Sequence, residues 1–183
     1  MSSISPSDLI DSQGQFAQQN VTAQFLKFQL VPHTKAMLPI DCITEVLKIQ
    51  LGQIVPIPQM PPWVMGVYNW RGDILWMVDL GHLIGLDSWY QHQRNLLHQT
   101  AIVLSPYRQQ QSDRATNIHL GLIVGRVEDL ESCDTSTIQA ALGSRISTRL
   151  GNFMQGYWLK PEGEMILALD SVKIAAAMPV NTN

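Results

Sequence analysis

The sequence predicts a mainly β protein made of two small, similar β-barrel subdomains with a few short helices. Apolar runs of about four to eight residues, separated by Gly, Pro, Asn or Asp, recur along the chain and are typical of strands. Two segments of the first half also recur in the second half, in the same order. Because small sheets hide their edges by closing, these observations together favour a pair of barrels.

The predicted strands follow one another from near the N-terminus to near the C-terminus. They span residues 25–31, 36–40, 66–70, 74–80, 101–104, 118–124, 153–159 and 165–169. Helical periodicity is convincing in only two places, residues 80–86 and residues 136–150, where apolar residues fall on one face of a helix. The polar segment 107–117 is predicted to be an exposed hairpin loop.

The internal repeat consists of two pairs of matching segments. Residues 38–46 match residues 122–130 in their apolar positions, with the acidic residue Glu45 over Asp129. Residues 72–79 match residues 163–170, and both segments hold a Gly, an acid, five apolar residues and a closing Asp. We therefore expect two β-subdomains built from successive halves of the chain, with a groove for a partner between them.

Composition is consistent with a folded chain that stays in the cytoplasm. Of its 183 residues, 45% are hydrophobic and 15% are charged, which is ordinary for a globular protein. Residues 1–22 are expected to form a flexible polar tail, residues 23–178 the folded body, and residues 179–183 a frayed C-terminal tail. No stretch has the character of a signal peptide or a membrane span, so we expect no direct membrane insertion.

Several classes of function lack their sequence markers. The net charge is -3 and the basic residues are scattered, which argues against nucleic-acid binding. Cys42 and Cys133 are expected to be free thiols, and the five histidines have no metal-ligand spacing, so no metal or cofactor is predicted. Asp73 and Asp79 could share a strand face, but about 20 Å of strand would separate them, too far for a catalytic pair.

A family resemblance rests on the segment 61–80, Pro-Pro-Trp-Val-Met-Gly-Val-Tyr-Asn-Trp-Arg-Gly-Asp-Ile-Leu-Trp-Met-Val-Asp-Leu. This segment resembles the signature of CheW-like domains. Residues 121–130, and residues 153–156 followed by 165–170, are similar to the motifs of the second half of that family. Together the matches cover residues 25 to 174, in the order of the family. The chain departs from the pattern at Trp70, where Leu is usual, and at Gly125, where Asp is common.

The resemblance implies a domain of two intertwined SH3-like β-barrels that acts as a non-enzymatic adaptor. Its partners would be the regulatory domain of a CheA-type histidine kinase and the cytoplasmic tip of a methyl-accepting receptor. The adaptor would be cytoplasmic, associated with receptor arrays at the membrane, and would serve chemotaxis, with a preference for the phototaxis or twitching (type IV pilus) branch. Residues that the resemblance assigns to receptor binding are Ile43, Glu45, Val46, Gly66, Asn69, Arg71 and Gly72; kinase contact would use exposed barrel edges and end loops.

The residues around Arg71 also suit a tight turn on physical grounds. Asn69 can cap the turn with its side chain, Gly72 permits a positive φ, and Arg71 offers five donors in a rigid fork. Arg71 could pair with Glu45 or with Asp79 to hold the turn, or reach a carboxylate on a partner.

The aromatic residues near this turn have two interpretations, as core residues or as docking residues. Trp76 lies two residues from both Ile74 and Val78, so it shares a strand face with them and is expected in the core. Trp63 and Trp70 are candidates for the docking surface, with one of the two expected to be exposed.

Other functions remain open from sequence alone. One is a binding module for a single partner, either a decoy or a kinase-only variant. Another is an enzyme on a β-barrel scaffold, which would require a pocket with convergent titratable groups.

Overall fold

The computed structural model describes residues 21–30, 33–88, 91, 97–105, 107–111, 114–140 and 147–179, with the backbone alone for 107–111 and 114–117. The strands are β1 (Thr22–Gln29), β2 (Lys35–Pro39), β3 (Ile43–Gln50), β4 (Val64–Trp70), β5 (Asp73–Asp79), β6 (His98–Leu104), β7 (Tyr107–Gln111), β8 (Arg114–Val124), β9 (Arg126–Asp134), β10 (Met154–Leu159) and β11 (Met165–Leu169). The helices are α1 (Leu80–Leu83), α2 (Thr148–Gly151) and α3 (Ser171–Ala176). Single 3₁₀ turns form at Ile40–Cys42, Leu51–Gln53 and Thr135–Thr137.

The strands form two sheets. Sheet 1 has five strands in the order β10-β11-β2-β1-β9. Sheet 2 has six strands, with β3-β6-β8-β5-β4 as its main path and β7 paired to β8. Each sheet contains a parallel pair, β11 with β2 and β5 with β8, and its other neighbours are antiparallel. The predicted fold class, mainly β with two small, similar barrel-like subdomains and a few short helices, is confirmed, although the sheets are not fully closed barrels.

The two halves of the chain exchange strands between the sheets. The first half supplies β1 and β2 to sheet 1 and β3 to β5 to sheet 2, whereas the second half supplies β6 to β8 to sheet 2 and β9 to β11 to sheet 1. The chain crosses between sheets after Pro39, through the turn Ile40–Cys42, and again at Gly125. The matching segments 38–46 and 122–130 are these two strand-turn-strand crossings. The expectation that each half forms its own subdomain is wrong.

Matching glycines show how closely the halves correspond. Gly66 in β4 and Gly156 in β10 both follow a register shift of the strand. The residue after each glycine bridges to an extended segment outside the sheet: Val67 pairs with Val55, and Tyr157 pairs with Gln139. A Cβ atom on either glycine would fall on the carbonyl oxygen of that segment. Only glycine permits this close approach of two backbones.

Three apolar cores result from the exchange. The largest lies between the sheets and includes Leu26, Phe28, Leu38 and Leu169 from sheet 1 with Val78, Ile102 and Leu122 from sheet 2. A second core belongs to sheet 2 and includes Ile49, Leu75, Met77 and Val103. The third belongs to sheet 1 and includes Phe25, Met37, Ile166 and Ala168. Central strands thus bury both faces, which explains their continuous apolar runs.

Neither sheet closes completely by hydrogen bonding. The edges of sheet 1 are β9 and β10, and the edges of sheet 2 are β3 and β4. We call the gap between these edge strands the seam of each sheet. Side chains bridge both seams: Lys160, which follows β10, binds Glu131 of β9, and Trp70 of β4 binds Glu45 of β3.

Some predicted elements differ from the structure. The helix predicted at 136–150 is wrong, because Gln139 forms an extended bridge and α2 begins only at Thr148; residues 141–146 lie outside the described residues. The predicted loop at 107–117 is instead a β-hairpin of β7 and β8. β9 was not predicted, because its acidic sequence obscures the strand pattern. Of the tails predicted at 1–22 and 179–183, residues 1–20 and 180–183 lie outside the described residues, and Thr22 already belongs to β1.

A cluster of charged side chains spans the seam of sheet 1. Lys27 Nζ lies 2.8 Å from Glu131 Oε1, and Lys160 Nζ lies 2.7 Å from the same oxygen. Lys35 Nζ lies 2.9 Å from oxygens of both Glu128 and Glu164. Lys27 is only 7% exposed. The hydrogen bond to Glu131 raises the pKa of Lys27 to about 12 against the opposing effect of burial.

The pKa values of the glutamates in this cluster are shifted in the opposite direction, below their ordinary values. The hydrogen bond from Lys35 lowers the pKa of Glu128 and also that of Glu164, and burial opposes both shifts. For Glu131 burial acts to raise the pKa, and the hydrogen bonds from Lys160 and Lys27 more than offset it. The cluster is therefore fully charged at neutral pH and ties β1, β2 and β9 to the β10–β11 hairpin.

The first prediction concerns the matching glycines. Gly66→Ala and Gly156→Ala should each lower the free energy of unfolding by about 2–4 kcal/mol, because a backbone segment must move away. Gly52→Ala is the control, since no atom lies within 4 Å of its Cβ position. Urea denaturation measures all three variants. Wild-type stability of the first two would show that the close approach is not required.

The second prediction concerns the charged cluster. Lys27→Met should destabilise the protein by about 3 kcal/mol at pH 7, because Glu131 and its neighbours lose a buried cation. The exposed Lys48 serves as the control, as Lys48→Met.

The pH dependence of this effect follows from the pKa shifts. The acids have lowered pKa values when folded, so their stabilising effect is present above their unfolded values near 4.3 and is lost as pH falls through the folded values. The raised pKa of Lys27 adds stability below about 10.5, which is lost as pH rises through about 12. The difference between wild type and Lys27→Met should thus shrink from pH 7 to about pH 3. A constant difference over that range would refute the role of the cluster.

Candidate functional site

The hairpin turn between β4 and β5 is the centre of the candidate site. Trp70 and Asp73 form the last pair of the β4–β5 ladder. Between them Arg71 has a φ of 56° and Gly72 a φ of 93°, as a type I′ turn requires. The side-chain oxygen of Asn69 accepts a hydrogen bond from the N–H of Gly72 at 3.0 Å. The predicted roles of Asn69 and Gly72 in the turn are confirmed.

Glu45 of β3 binds this turn across the seam of sheet 2. Its Oε1 accepts a hydrogen bond from Trp70 Nε1 at 2.6 Å, and its Oε2 accepts one from Arg71 Nη2 at 2.9 Å. Arg71 therefore pairs with Glu45, whereas Asp79 accepts a hydrogen bond from the N–H of His82 and caps α1. Of the alternatives open from sequence, the structure shows the internal pairing with Glu45.

Trp70 is the hub of these contacts. The Cζ atom of Arg71 lies 5.5 Å from the centroid of the Trp70 ring, within cation–π range. On another side the indole packs against the imidazole of His119, with ring centroids 5.3 Å apart and planes tilted by 54°. The Nδ1 atom of His119 is buried without a hydrogen-bond partner in the described part of the chain. One side chain thus links β3, the turn and β8.

The remaining residues assigned to receptor binding differ in exposure. Val46 is 43% exposed, and the side chain of Arg71 is 71% exposed. Ile43 is half-buried and packs against the core between the sheets. Gly66 is buried, and its place is explained by the close approach of Val55 rather than by a surface role. We call Glu45, Val46, Asn69, Arg71 and Gly72 the turn surface.

The tryptophans Trp63, Trp70 and Trp76 differ in how deeply the structure buries them. Trp63 is 9% exposed and belongs to the core between the sheets, so it is not a docking residue. Trp70 is half-buried and reaches the surface beside Arg71. Trp76 packs against the core between the sheets, as predicted, but is only half-buried, because its strand face becomes exposed towards Ile74.

An apolar groove begins at the turn. Its volume is about 610 Å³, and its lining residues are Ile57, Val67, Asp73, Ile74, Trp76, Ile118 and His119. Ile74 is 63% exposed although large and apolar. Asp73 is shared by the turn and the groove. The turn surface and the groove together form a continuous region with both polar and apolar contacts, which is typical of protein-binding surfaces. The sequence predicted a groove between the two subdomains, whereas the strands that line this groove all belong to sheet 2.

The described residues contain neither a candidate metal site nor a disulfide. No group of three or more His, Cys, Asp or Glu residues that could hold a metal ion occurs among them. Cys42 and Cys133 are free, as predicted, and burial raises the pKa of both thiols, which keeps them protonated. No helix in the part of the chain that the structure describes combines the length and apolar character needed to cross a membrane.

Two interleaved β-subdomains with a pre-formed polar turn beside an apolar groove define a protein-interaction module. Comparison with protein families agrees with this class. A family model described as the CheW-like domain matches residues 24–178. The chain belongs to the CheW-like domain family. It is accordingly a non-enzymatic scaffold protein of chemotaxis signalling.

A solved structure shows the same fold. The crystal structure of the scaffolding protein TtCheW from Thermoanaerobacter tengcongensis is similar to this chain with a TM-score of 0.63 and 22% sequence identity. The match covers 82% of this chain and 90% of that chain. No curated protein matches the sequence significantly.

The third prediction separates surface from core at this site. Arg71→Ala should leave the circular dichroism spectrum unchanged and alter stability by less than about 1 kcal/mol, because its ion pair with Glu45 is exposed to solvent. Trp63→Ala should destabilise by about 3–5 kcal/mol, because it empties a core position. Thermal and urea denaturation measure both. An unfolded Arg71→Ala variant would mean that Arg71 is a structural residue and that the turn surface is wrongly assigned.

Proposed function

We propose that this scaffold couples methyl-accepting receptors to a CheA-type histidine kinase, in chemotaxis or in phototaxis and twitching motility. The observation that carries the proposal is the pre-formed pair of Glu45 and Arg71 on an exposed turn. These residues stand where the family resemblance implies receptor contact. The protein would then act in the cytoplasm, at receptor arrays.

The turn surface suits the tip of a receptor, which the resemblance implies to be a helical hairpin. Arg71 offers planar, directional hydrogen-bond donors, and the neighbouring edge strand β3 offers Val46 as an exposed apolar contact. A contact of this kind is small. Stable coupling would therefore come from many such contacts in an array rather than from one tight interface.

Sheet 1 offers a separate surface for the kinase. Leu159 and Met165 are exposed and face each other across the β10–β11 ladder. Leu130, on the edge strand β9, is also exposed. These residues lie in a different sheet from the turn surface. An adaptor needs two surfaces that can be occupied at once, and the two sheets supply them.

A second candidate function is a module that binds only the kinase. Trp70 favours this alternative, because Leu is usual at this position in the family and a changed turn would alter receptor contact. Kinase binding without receptor binding would identify such a variant.

The fourth prediction tests both contacts. Calorimetry of the purified protein with the kinase regulatory domain, and separately with a receptor-tip fragment from the same cell, should give micromolar affinities, about -8 kcal/mol each. Both ligands should bind the protein together. Arg71→Ala should weaken only receptor binding, and Met165→Ser only kinase binding.

Arg126→Ala is the matched control for the receptor arm, because Arg126 is also an exposed arginine paired with a glutamate. Competition between the two ligands, or equal loss of receptor binding in the Arg126 and Arg71 variants, would contradict the proposal. Kinase binding alone would replace it by the second candidate.

A further inference from the structure

The two seams are bridged from matching positions at the ends of β4 and β10 by side chains of different chemistry, Trp70 and Lys160. Trp70 follows Gly66 at the same spacing as Lys160 follows the matching Gly156. In sheet 1 the ammonium of Lys160 binds Glu131 at 2.7 Å within a largely buried cluster. In sheet 2 the indole N–H of Trp70 takes that position and binds Glu45 at 2.6 Å. A neutral donor at this position leaves the charge of Glu45 available to a second group, which is Arg71.

The contacts of Glu45 and Trp70 restrict the side chain of Arg71. Glu45 uses one oxygen for Trp70 and the other for Arg71, so its position is set from both sides. The Trp70 ring lies 5.5 Å from the Arg71 Cζ atom, and His119 packs against that ring. An arginine in a left-handed turn would otherwise sample many side-chain conformations. Here the guanidinium contacts a carboxylate and an aromatic ring, while 71% of the side chain remains exposed.

The guanidinium of Arg71 contacts Glu45 and Trp70 but retains free hydrogen-bond donors. Arg71 uses Nη2 for Glu45, and in the described part of the chain its Nε and Nη1 atoms have no hydrogen-bond partner. Lys48, further along the edge strand β3, is exposed as well. Both carboxylate oxygens of Glu45 accept hydrogen bonds, from Trp70 and Arg71. Asp73 contributes to the groove lining. The turn surface thus presents directed cationic donors, which complement a carboxylate.

We propose that Trp70 is a positioning residue, which holds Glu45 and Arg71 so that the free donors of Arg71 bind an acidic side chain of the partner. The partner is the receptor tip, and this part of the inference rests on the proposed function. Positioning lowers the entropy lost when the partner binds, because Arg71 is already ordered. Trp70 then determines affinity without having to contact the partner itself.

The fifth prediction is a double-mutant cycle on affinity for the receptor-tip fragment, measured by calorimetry. Trp70→Phe keeps a ring beside Arg71 and His119 but removes the N–H that binds Glu45. It should weaken binding by about fivefold. In an Arg71→Ala background the same substitution should have no further effect, because Trp70 acts through Arg71.

Trp158→Phe is the matched control, since Trp158 is also a half-buried indole with a cation, Lys160, 5.4 Å above its ring. It should leave receptor affinity unchanged. Wild-type affinity of Trp70→Phe would overturn the proposal. So would an undiminished effect of that substitution in the Arg71→Ala background, because Trp70 would then act independently of Arg71.

Nuclear magnetic resonance tests the positioning itself without any receptor. The side-chain N–H signals of Arg71, assigned with Arg71→Ala, should show restricted rotation and slow exchange in the wild type and should become mobile in Trp70→Phe. Equal mobility in both proteins would overturn the proposal. If the wild type binds no receptor fragment, the proposed function fails, and this measurement still decides whether Trp70 orders Arg71.

Discussion

The pairing of β1 with β9 is the constraint on which the rest of the structure depends. It joins the start of the chain to a strand of the second half, and the parallel pair β2 and β11 extends the same exchange. Because the first half leaves two strands in sheet 1 and the second half leaves three strands in sheet 2 before each continues into the other sheet, neither sheet can be complete without both halves. The chain passes from one sheet to the other after Pro39 and at Gly125. These two connections hold together the strands that enclose the core between the sheets. The binding surfaces stand on this shared core.

The two seams show how one architecture supports different tasks. The seam of sheet 1 is closed by a mostly buried cluster of lysines and glutamates, in which every charge has an opposite neighbour. Such a cluster specifies which edges meet more than it adds to stability. At the seam of sheet 2 the carboxylate of Glu45 binds one half-buried donor, Trp70, and one exposed donor, Arg71. The exposed member remains available for a partner. The same kind of contact is thus largely buried in one sheet and reaches the surface in the other.

Much of the fold could be predicted from the sequence because central strands are buried on both faces and appear as continuous apolar runs. Gly72 and Asn69 likewise identified the turn, since few residues accept its backbone angles. The strand exchange could not be predicted, because a repeat shows that two units are alike but not which unit each strand pairs with. The false helix at 136–150 has a related cause: Ile138 packs onto the core of sheet 1 from an extended segment, and spacing alone does not distinguish the two. The contacts of Glu45 with Trp70 were missed because they join residues distant in sequence.

Strand exchange also sets the order in which the sheets can assemble during synthesis on the ribosome. The main path of sheet 2 is complete once Val124 has been made, whereas sheet 1 must wait for Leu169 at the end of β11. Until then β1 can pair with β2 and, once Asp134 has been made, with β9, but the edge of β2 that later receives β11 stays unpaired in the nascent chain. The turn surface lies entirely in sheet 2. Elongation therefore allows the turn surface to form first and leaves sheet 1 as the late, aggregation-sensitive step.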